Sequence, residues 1–511
     1  MKTDFTSISG AEDAARSICE IIAARAEWLY VRDGRRLASL RRDELDFRAT
    51  HAHLIFYCLS DEGAEVWRVQ SWAWTGERLQ LKAQRRAGKE RALLELIPRI
   101  SASVLAEEVT AHRRSRCAAL ANLAAAQLPG TSIERASLSA GARFNQPGSF
   151  ARILLKHKRT RICVTGIVSD ATARERLDAL LSSTLVWFTR LKENARAPLN
   201  MKLWIAVEKP CVEPLRQRIA LLRDALRRAI TIYELDEAWL SLTEVPQYEM
   251  EELFETLPPR ISTYKAATSE TAARIMALAP AAIDLVRARH GETLRFHGLA
   301  FARVRRTLNK ERVWFGLDPS SRQLLDESTL EEWEKLLSEL AEHRCAEARA
   351  RQHALYRQAP EAWLESLLRR DITRLDPGLR LSPLHAQFRA AQTKTTGSRP
   401  IDLLALRRDG RLVVIELKVS EDREHVLQGA DYWRRIETYR RLGAIRRARL
   451  FDDAEIKDEA PLVYLAAPAL RFHRAFATLA QSMRPEIEIY RFDLNEDWRT
   501  RVRVVRRELV S

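Results

Sequence analysis

The chain is short of cysteine, and what it has is dispersed. Cys19, Cys58, Cys117, Cys163, Cys211 and Cys345 form no Cys-x-x-Cys pair and no metal-finger spacing. That excludes a disulfide framework and a structural zinc site, and it predicts small buried thiols in a reducing compartment. The opening Met1-Lys2-Thr3-Asp4-Phe5 carries no apolar signal core. There is also no run of about eighteen apolar residues anywhere. Both absences predict a cytoplasmic protein with no membrane span. A Gly-rich phosphate loop of the Walker type is missing, so no ATP-driven step is indicated. No Ser/His/Asp arrangement stands out either.

Positive charge, by contrast, is abundant. Lysine and arginine number 85 against 69 aspartates and glutamates, for a formal net charge of +16. An excess of this size favours a polyanionic partner, because counterion release from phosphates drives association. At 511 residues and 46% hydrophobic content the chain is long enough for several well-filled domains.

The apolar pattern suggests that the chain is duplicated. Ile401, Leu403, Leu404 and Leu406 read as one strand, Arg408-Asp409-Gly410 as a tight turn, and Leu412-Val413-Val414-Ile415 as the next strand. Shifting back by 251 positions, Phe150–Leu155 and Ile162–Asp170 fall on the same two strands without a gap. Further on, Leu203–Val207 and Ile230–Asp236 parallel Leu462–Ala466 and Ile487–Asp493. Upstream, Leu120–Leu123 resembles Leu364–Leu367, and Asp33-Gly34 loosely resembles His290-Gly291. The paired prolines Pro258-Pro259 suit a junction. The predicted fold class is therefore α/β, a tandem duplication of an α/β unit. The segments would be 1–110 and 111–250 in the first copy, and 251–350 and 351–511 in the second.

Chemistry concentrates in the second copy. Asp402 ends one strand, and Glu416-Leu417-Lys418 lies fourteen positions on, in the next. Side chains at i and i+2 of a strand share a face, so Glu416 and Lys418 should project together. Two carboxylates on adjacent strands suit a hard divalent cation such as Mg²⁺ (or Mn²⁺), with the Leu417 carbonyl as a further ligand. Lys418 could then orient an attacking water or stabilise transition-state charge. Gln428 and Tyr432 share one helix face, as do Glu361 and Glu365 after Pro360, and either glutamate could be a third acid. By the repeat, Asp402, Glu416 and Lys418 correspond to Ala151, Thr165 and Ile167, so the first copy would be degenerate.

Pro400-Ile401-Asp402 followed by Glu416-Leu417-Lys418 resembles the PD-(D/E)XK nuclease superfamily, the restriction-endonuclease-like proteins. The order of helix acid, Asp402, Gly410, Glu416-x-Lys418 and Gln428-x-x-x-Tyr432 is closest to the NucS-type endonucleases. The resemblance covers roughly residues 355–465. It implies a mixed sheet flanked by helices, metal-dependent phosphodiester hydrolysis, and Glu361 rather than Glu365 as the helix acid. Gln428 would orient Lys418 or a phosphate. The expected partner is nucleic acid, with double-stranded DNA favoured. One intact site per chain implies nicking, and a double-strand cut would need a homodimer or two successive events. The competing expectation is a nuclease fold kept for binding with little or no cleavage, and a third is a purely structural interaction protein. Arg434-Arg435, Arg440-Arg441, Arg446–Arg449 and Arg501–Arg507 would track a duplex backbone if they are not simply solvated. So would Arg113-Arg114-Ser115-Arg116 and Lys156–Arg161 in the first copy. His385 is expected to be structural.

Overall fold

The computed structural model is a mixed α/β protein whose described residues form four β-sheets. It describes all residues except 1–4, 9, 34, 51–52, 61–62, 86–87, 89, 100–101, 141–146, 170–175, 195–199, 237, 255–260, 262–266, 289–290, 308–309, 319–321 and 389–399. The expected junction at Pro258-Pro259, and Asp170, His290 and Arg399, lie outside the described residues.

The chain divides into two compact units, Met1–His112 and Arg113–Ser511. In the first, an antiparallel sheet runs from Glu27–Arg32 to Glu90–Pro98, and the last strand returns to pair with the first. Alternating burial puts Trp28, Tyr30, Phe56, Trp67, Leu81 and Leu94 inside. Helix Ala11–Ala23 lays Ala14, Ile18 and Ile22 against them, at the four-residue spacing of one helix face.

The second unit contains two six-stranded sheets. The first has strands β1 (Ser132–Ala140), β2 (Pro147–His157), β3 (Thr160–Gly166), β4 (Asn200–Glu208), β5 (Ile230–Leu235) and β6 (Leu242–Val245). Helices α1 (Leu177–Glu193) and α2 (Lys209–Ile219) make its crossovers. The second sheet has β7 (His385–Phe388), β8 (Ile401–Leu406), β9 (Leu412–Leu417), β10 (Leu462–Pro468), β11 (Ile489–Leu494) and β12 (Val504–Leu509). It is served by α3 (Pro360–Arg370), α4 (His425–Arg441) and α5 (Phe476–Gln481).

Both sheets run in simple sequence order. In each, the second-to-third pair is antiparallel, the next two pairs are parallel, and the last is antiparallel again. The parallel strands are near-continuous apolar runs because helices cover both faces. One core is common to the two sheets, joining Leu203 and Ile205 of β4, Leu181 and Leu185 of α1, Trp433 of α4 and Val463 and Leu465 of β10. At its edge Leu222 and Met483 form a bridge, with Arg223 N donating to Ser482 O at 3.0 Å and Arg484 N donating to Leu221 O at 3.0 Å.

Register corrects one sequence expectation. Ile153 pairs with Val164, whereas Leu403 pairs with Ile415. One step along each ladder, Asp402 faces Glu416 and Arg152 faces Thr165. The partner of Asp402 in the first sheet is thus Arg152, not Ala151. The two-residue turn between His157 and Thr160 closes one residue tighter than the turn after Leu406, which slips the strand and reverses its faces. Ala151 accordingly points the other way and is fully buried beside Leu120 and Ala124.

A smaller antiparallel sheet, Ile283–Ala288 to Gln323–Leu324, backs the site helix. Gly298 is the point of closest approach: at φ +78° a Cβ there would lie 1.9 Å from the Ala362 carbonyl of α3. The fully buried Arg344 donates to Phe296 O, His297 O, Leu355 O and Gln358 O, tying that sheet to the chain entering α3. Among the described residues, no helix is long and apolar enough to cross a membrane.

Candidate metal and phosphodiester site

The site grows from the β8–β9 hairpin. Gly410, at φ +88°, allows the turn, and all six residues of β9 are buried. Asp402 sits one residue into β8 and accepts the Leu417 N–H on Oδ2 at 2.9 Å. Glu416 is 2% exposed. Lys418 continues the parallel ladder, its N–H donating to Ala466 O at 3.0 Å, so it keeps the strand alternation and shares the face of Glu416. Its Nζ lies 2.6 Å from Glu416 Oε1 and 3.7 Å from Asp422 Oδ2.

The electrostatics are unfavourable as they stand. Burial first, and the neighbouring Glu416 second, raise the Asp402 carboxyl well above the usual carboxylate range. Burial also raises Glu416, although Lys418 opposes it. For Lys418, burial would lower the ammonium, but Glu416, Glu361 and Asp402 outweigh it and hold it above an ordinary lysine. Glu416 Oε2 is buried without a hydrogen-bond donor, and so is Gln428 Oε1. Two carboxyls this close need either a shared proton or a cation. The donor-less Glu416 Oε2 fits a hard cation such as Mg²⁺ or Mn²⁺.

Helix α4 forms the wall. His425 is buried and its Nε2 lies 3.2 Å from the Glu416 carbonyl oxygen. Burial pushes the His425 imidazole down to about 3, so it is neutral at physiological pH and donates there. Sequence reasoning did not single His425 out; a histidine three residues before Gln428 carries no motif, and only the fold brings it behind Glu416. Gln428 and Tyr432 are both buried on the site side of α4, with Gln428 Nε2 3.5 Å from Glu424 Oε2. The Tyr432 phenol is raised by burial, then by Glu416 and Asp402.

The two helix acids part company. Glu365 is buried and held by both terminal nitrogens of Arg295 at 3.1 Å, inside a network with Asp284, Ser366 and Arg369. It anchors α3 to the smaller sheet. Glu361 is half-buried, and its field reaches Glu416 and Lys418. It does not complete a three-carboxylate set: among the described residues no group of three His, Cys, Asp or Glu side chains could hold a metal. The gathered donors are therefore Asp402 and Glu416, with Glu361 standing off.

Several arginines expected to follow a duplex are engaged inside the protein. Arg434 and Arg435 both bond the buried Asp431, and Arg440 and Arg441 both bond the buried Glu437. The acids lie three or four residues earlier on α4, so the pairing is local. Arg507 stacks over Tyr490 at 4.8 Å and lies 3.7 Å from Asp376. Arg446, Arg447 and Arg449 remain exposed. His385 Nε2 lies 2.7 Å from the Leu450 carbonyl oxygen.

Comparison with protein-family models, with characterised proteins and with solved structures gives no match.

Proposed function

We propose that the chain is a metal-dependent endonuclease that hydrolyses phosphodiester bonds in nucleic acid, with DNA duplex the favoured substrate. The observation that carries this reading is the buried pair Asp402 and Glu416 with Lys418 at 2.6 Å and a buried, donor-less Glu416 Oε2. A structural ion pair would leave no excess acid; here two carboxyls share one lysine. Asp402, Glu416 and the Leu417 carbonyl would hold Mg²⁺ or Mn²⁺, with Glu361 as an outer acid. When bound, such a cation supplies charge neutralisation at the scissile phosphate and a more acidic water. Lys418 donates from Nζ to the water or to a non-bridging phosphate oxygen, and Gln428 presents its amide to the same region. His425 holds the Glu416 backbone in place.

Under this reading the two six-stranded sheets are copies of one restriction-endonuclease-like unit, the second active and the first degenerate. Their shared topology supports it, as does the Leu222–Met483 bridge. Those two residues occupy corresponding places after β4 and β10, as residues do across a two-fold dimer interface. The chain would thus carry its own partner half, nick one strand, and need a second chain or a second event for a double-strand cut. The free cysteines suit a reducing, cytoplasmic setting.

The second reading is a binding protein with a nuclease fold and little cleavage. It is favoured by the lack of a three-ligand cluster among the described residues. Nicking of supercoiled plasmid with Mg²⁺ or Mn²⁺ separates the two. The enzyme predicts relaxation by wild type that falls to background in Asp402→Ala and Glu416→Ala. Equal residual activity in all three would remove the site, and absence of cleavage with salt-sensitive DNA binding would favour the binding protein.

A further inference from the structure

Many arginines in this chain are paired with acids. Arg218 bonds Asp178, Arg295 bonds Asp284 and Glu365, Arg407 bonds Asp376, and α4 satisfies its own. One group is not. Among the described residues Arg152, Arg190, Arg423 and Arg474 make no ion pair, although they lie close enough to repel one another. Burial, then Arg423 and Arg190, lowers the Arg152 guanidinium; burial, then Arg474 and Arg190, lowers that of Arg423. The one carboxylate felt at Arg423 is Glu424, which Gln428 engages. Asp422, between Arg423 and the site, faces Lys418.

The placement is specific. Arg152 stands opposite Thr165, where the second sheet has Asp402 opposite Glu416. Its Nη2 donates to Ser183 Oγ at 3.3 Å, and its guanidinium lies 5.7 Å from the Trp187 ring centre. Ser183, Trp187 and Arg190 follow one face of α1 at four- and three-residue spacing. Arg423 comes from the loop that leads from Lys418 into α4, and Arg474 from the segment entering α5. Arg190, Arg423 and Arg474 are exposed, while Arg152 is half-buried and fixed by Ser183 and Trp187. Four guanidiniums that make no ion pair among the described residues, one of them positioned by Ser183 and Trp187, match the forked oxygen geometry of a phosphate.

We propose that Arg152, Arg190, Arg423 and Arg474 form a seat for a backbone phosphate of the nucleic acid, set between the two sheets beside the cleavage site. The first sheet has thus exchanged a metal-binding position for an anion-binding one. The proposal rests on the nucleic-acid reading above, but not on cleavage.

The test is fluorescence anisotropy of a labelled DNA duplex with full-length protein in EDTA, across a salt series. Wild type is compared with Arg152→Gln, Arg423→Gln, their double variant, and Arg274→Gln, which removes one charge from an exposed helix pair elsewhere. The double variant should lose about tenfold or more in affinity, and its log–log salt slope should fall by about 1 for each contact removed. Arg274→Gln should stay near wild type. If Arg152→Gln fails to fold, Arg190→Gln with Arg423→Gln, both exposed, carries the test. Unchanged affinity and slope in the double variant, or an equal loss in Arg274→Gln, overturns the seat while leaving the nuclease untouched. Loss of binding in the double variant with no cleavage by wild type under any metal upholds the seat and removes the nuclease. A wild type that binds no duplex removes both.

Discussion

The two six-stranded sheets solve the same packing problem with opposite chemistry at one place. In the first sheet the position facing β2 carries Thr165, whose hydroxyl donates to the Ala151 carbonyl at 2.8 Å and takes a further contact from Thr184 at 3.4 Å. The Thr165 hydroxyl is neutral and satisfied, and the charge opposite it is the Arg152 guanidinium, which donates to Ser183 Oγ. In the second sheet the corresponding position carries Glu416, facing Asp402, and the pair is desolvated, like-charged and one donor short. The first sheet demonstrates that this topology does not need carboxylates to fold. Buried charge is expensive unless paired. The acids of the second sheet are therefore best explained by a ligand that they hold, and the comparison argues for function more strongly than either sheet alone.

The harshest way to break the comparison is to make the second sheet like the first. Asp402→Ala and Glu416→Ala should each reduce plasmid nicking to background while the protein still folds, since the first sheet is built without carboxylates at the two corresponding positions, Arg152 and Thr165. Lys418→Gln comes next. Under the proposed chemistry it removes one charge that would act on the reacting phosphate, and a loss of roughly 10²–10³ in single-turnover rate is expected, the usual effect of deleting one such donor. A Lys418→Gln enzyme that keeps its full rate would reduce Lys418 to a structural partner of Glu416.

Asp402→Asn sharpens the contrast by stability. The Asp402 carboxyl is raised in the folded protein, so the folded state binds more protons than the unfolded chain. The stabilising contribution is complete below the unfolded value of about 4 and is lost as pH rises through the folded one. At neutral pH the cost of the raised Asp402 carboxyl is thus present, and asparagine relieves it while its amide oxygen still accepts the Leu417 N–H. In EDTA, Asp402→Asn should melt a few degrees higher than wild type at neutral pH, and the gain should vanish toward acid. If the pair holds the proposed cation, saturating Mg²⁺ should shrink it, because binding would stabilise only the wild-type pair. An Asp402→Asn protein that melts lower than wild type at neutral pH would mean that the pair is not strained.

Much of the second sheet was legible because its signals are local. Alternation placed Glu416 and Lys418 on one face, Asp409-Gly410 marked the turn, and the four-residue spacing put Gln428 and Tyr432 together. The features that were missed depend on distance along the chain. No pattern tells that Glu365 meets Arg295 across 70 residues. Nor does one reveal His425 beneath Glu416, or that Arg434 and Arg435 face inward to Asp431. The ungapped match across the β2–β3 hairpin also misled. Sequence comparison counts residues, but a turn one residue tighter changes which faces meet, and so Ala151 was read where Arg152 stands.

The gentlest change tests the first sheet itself. Thr165→Val keeps the shape of the side chain and removes the hydroxyl that bonds the Ala151 carbonyl, at a position 1% exposed. A neutral buried hydrogen bond of this kind contributes about 1 kcal/mol. Urea unfolding should therefore show a stability loss of about that size with an unchanged slope, since the surface exposed on unfolding is the same. Nicking should be unaffected, because no step of the proposed chemistry passes through Thr165. A fall in nicking without a matching fall in stability would mean that the first sheet takes part in the reaction, and that the division between an active and a retired site is drawn in the wrong place.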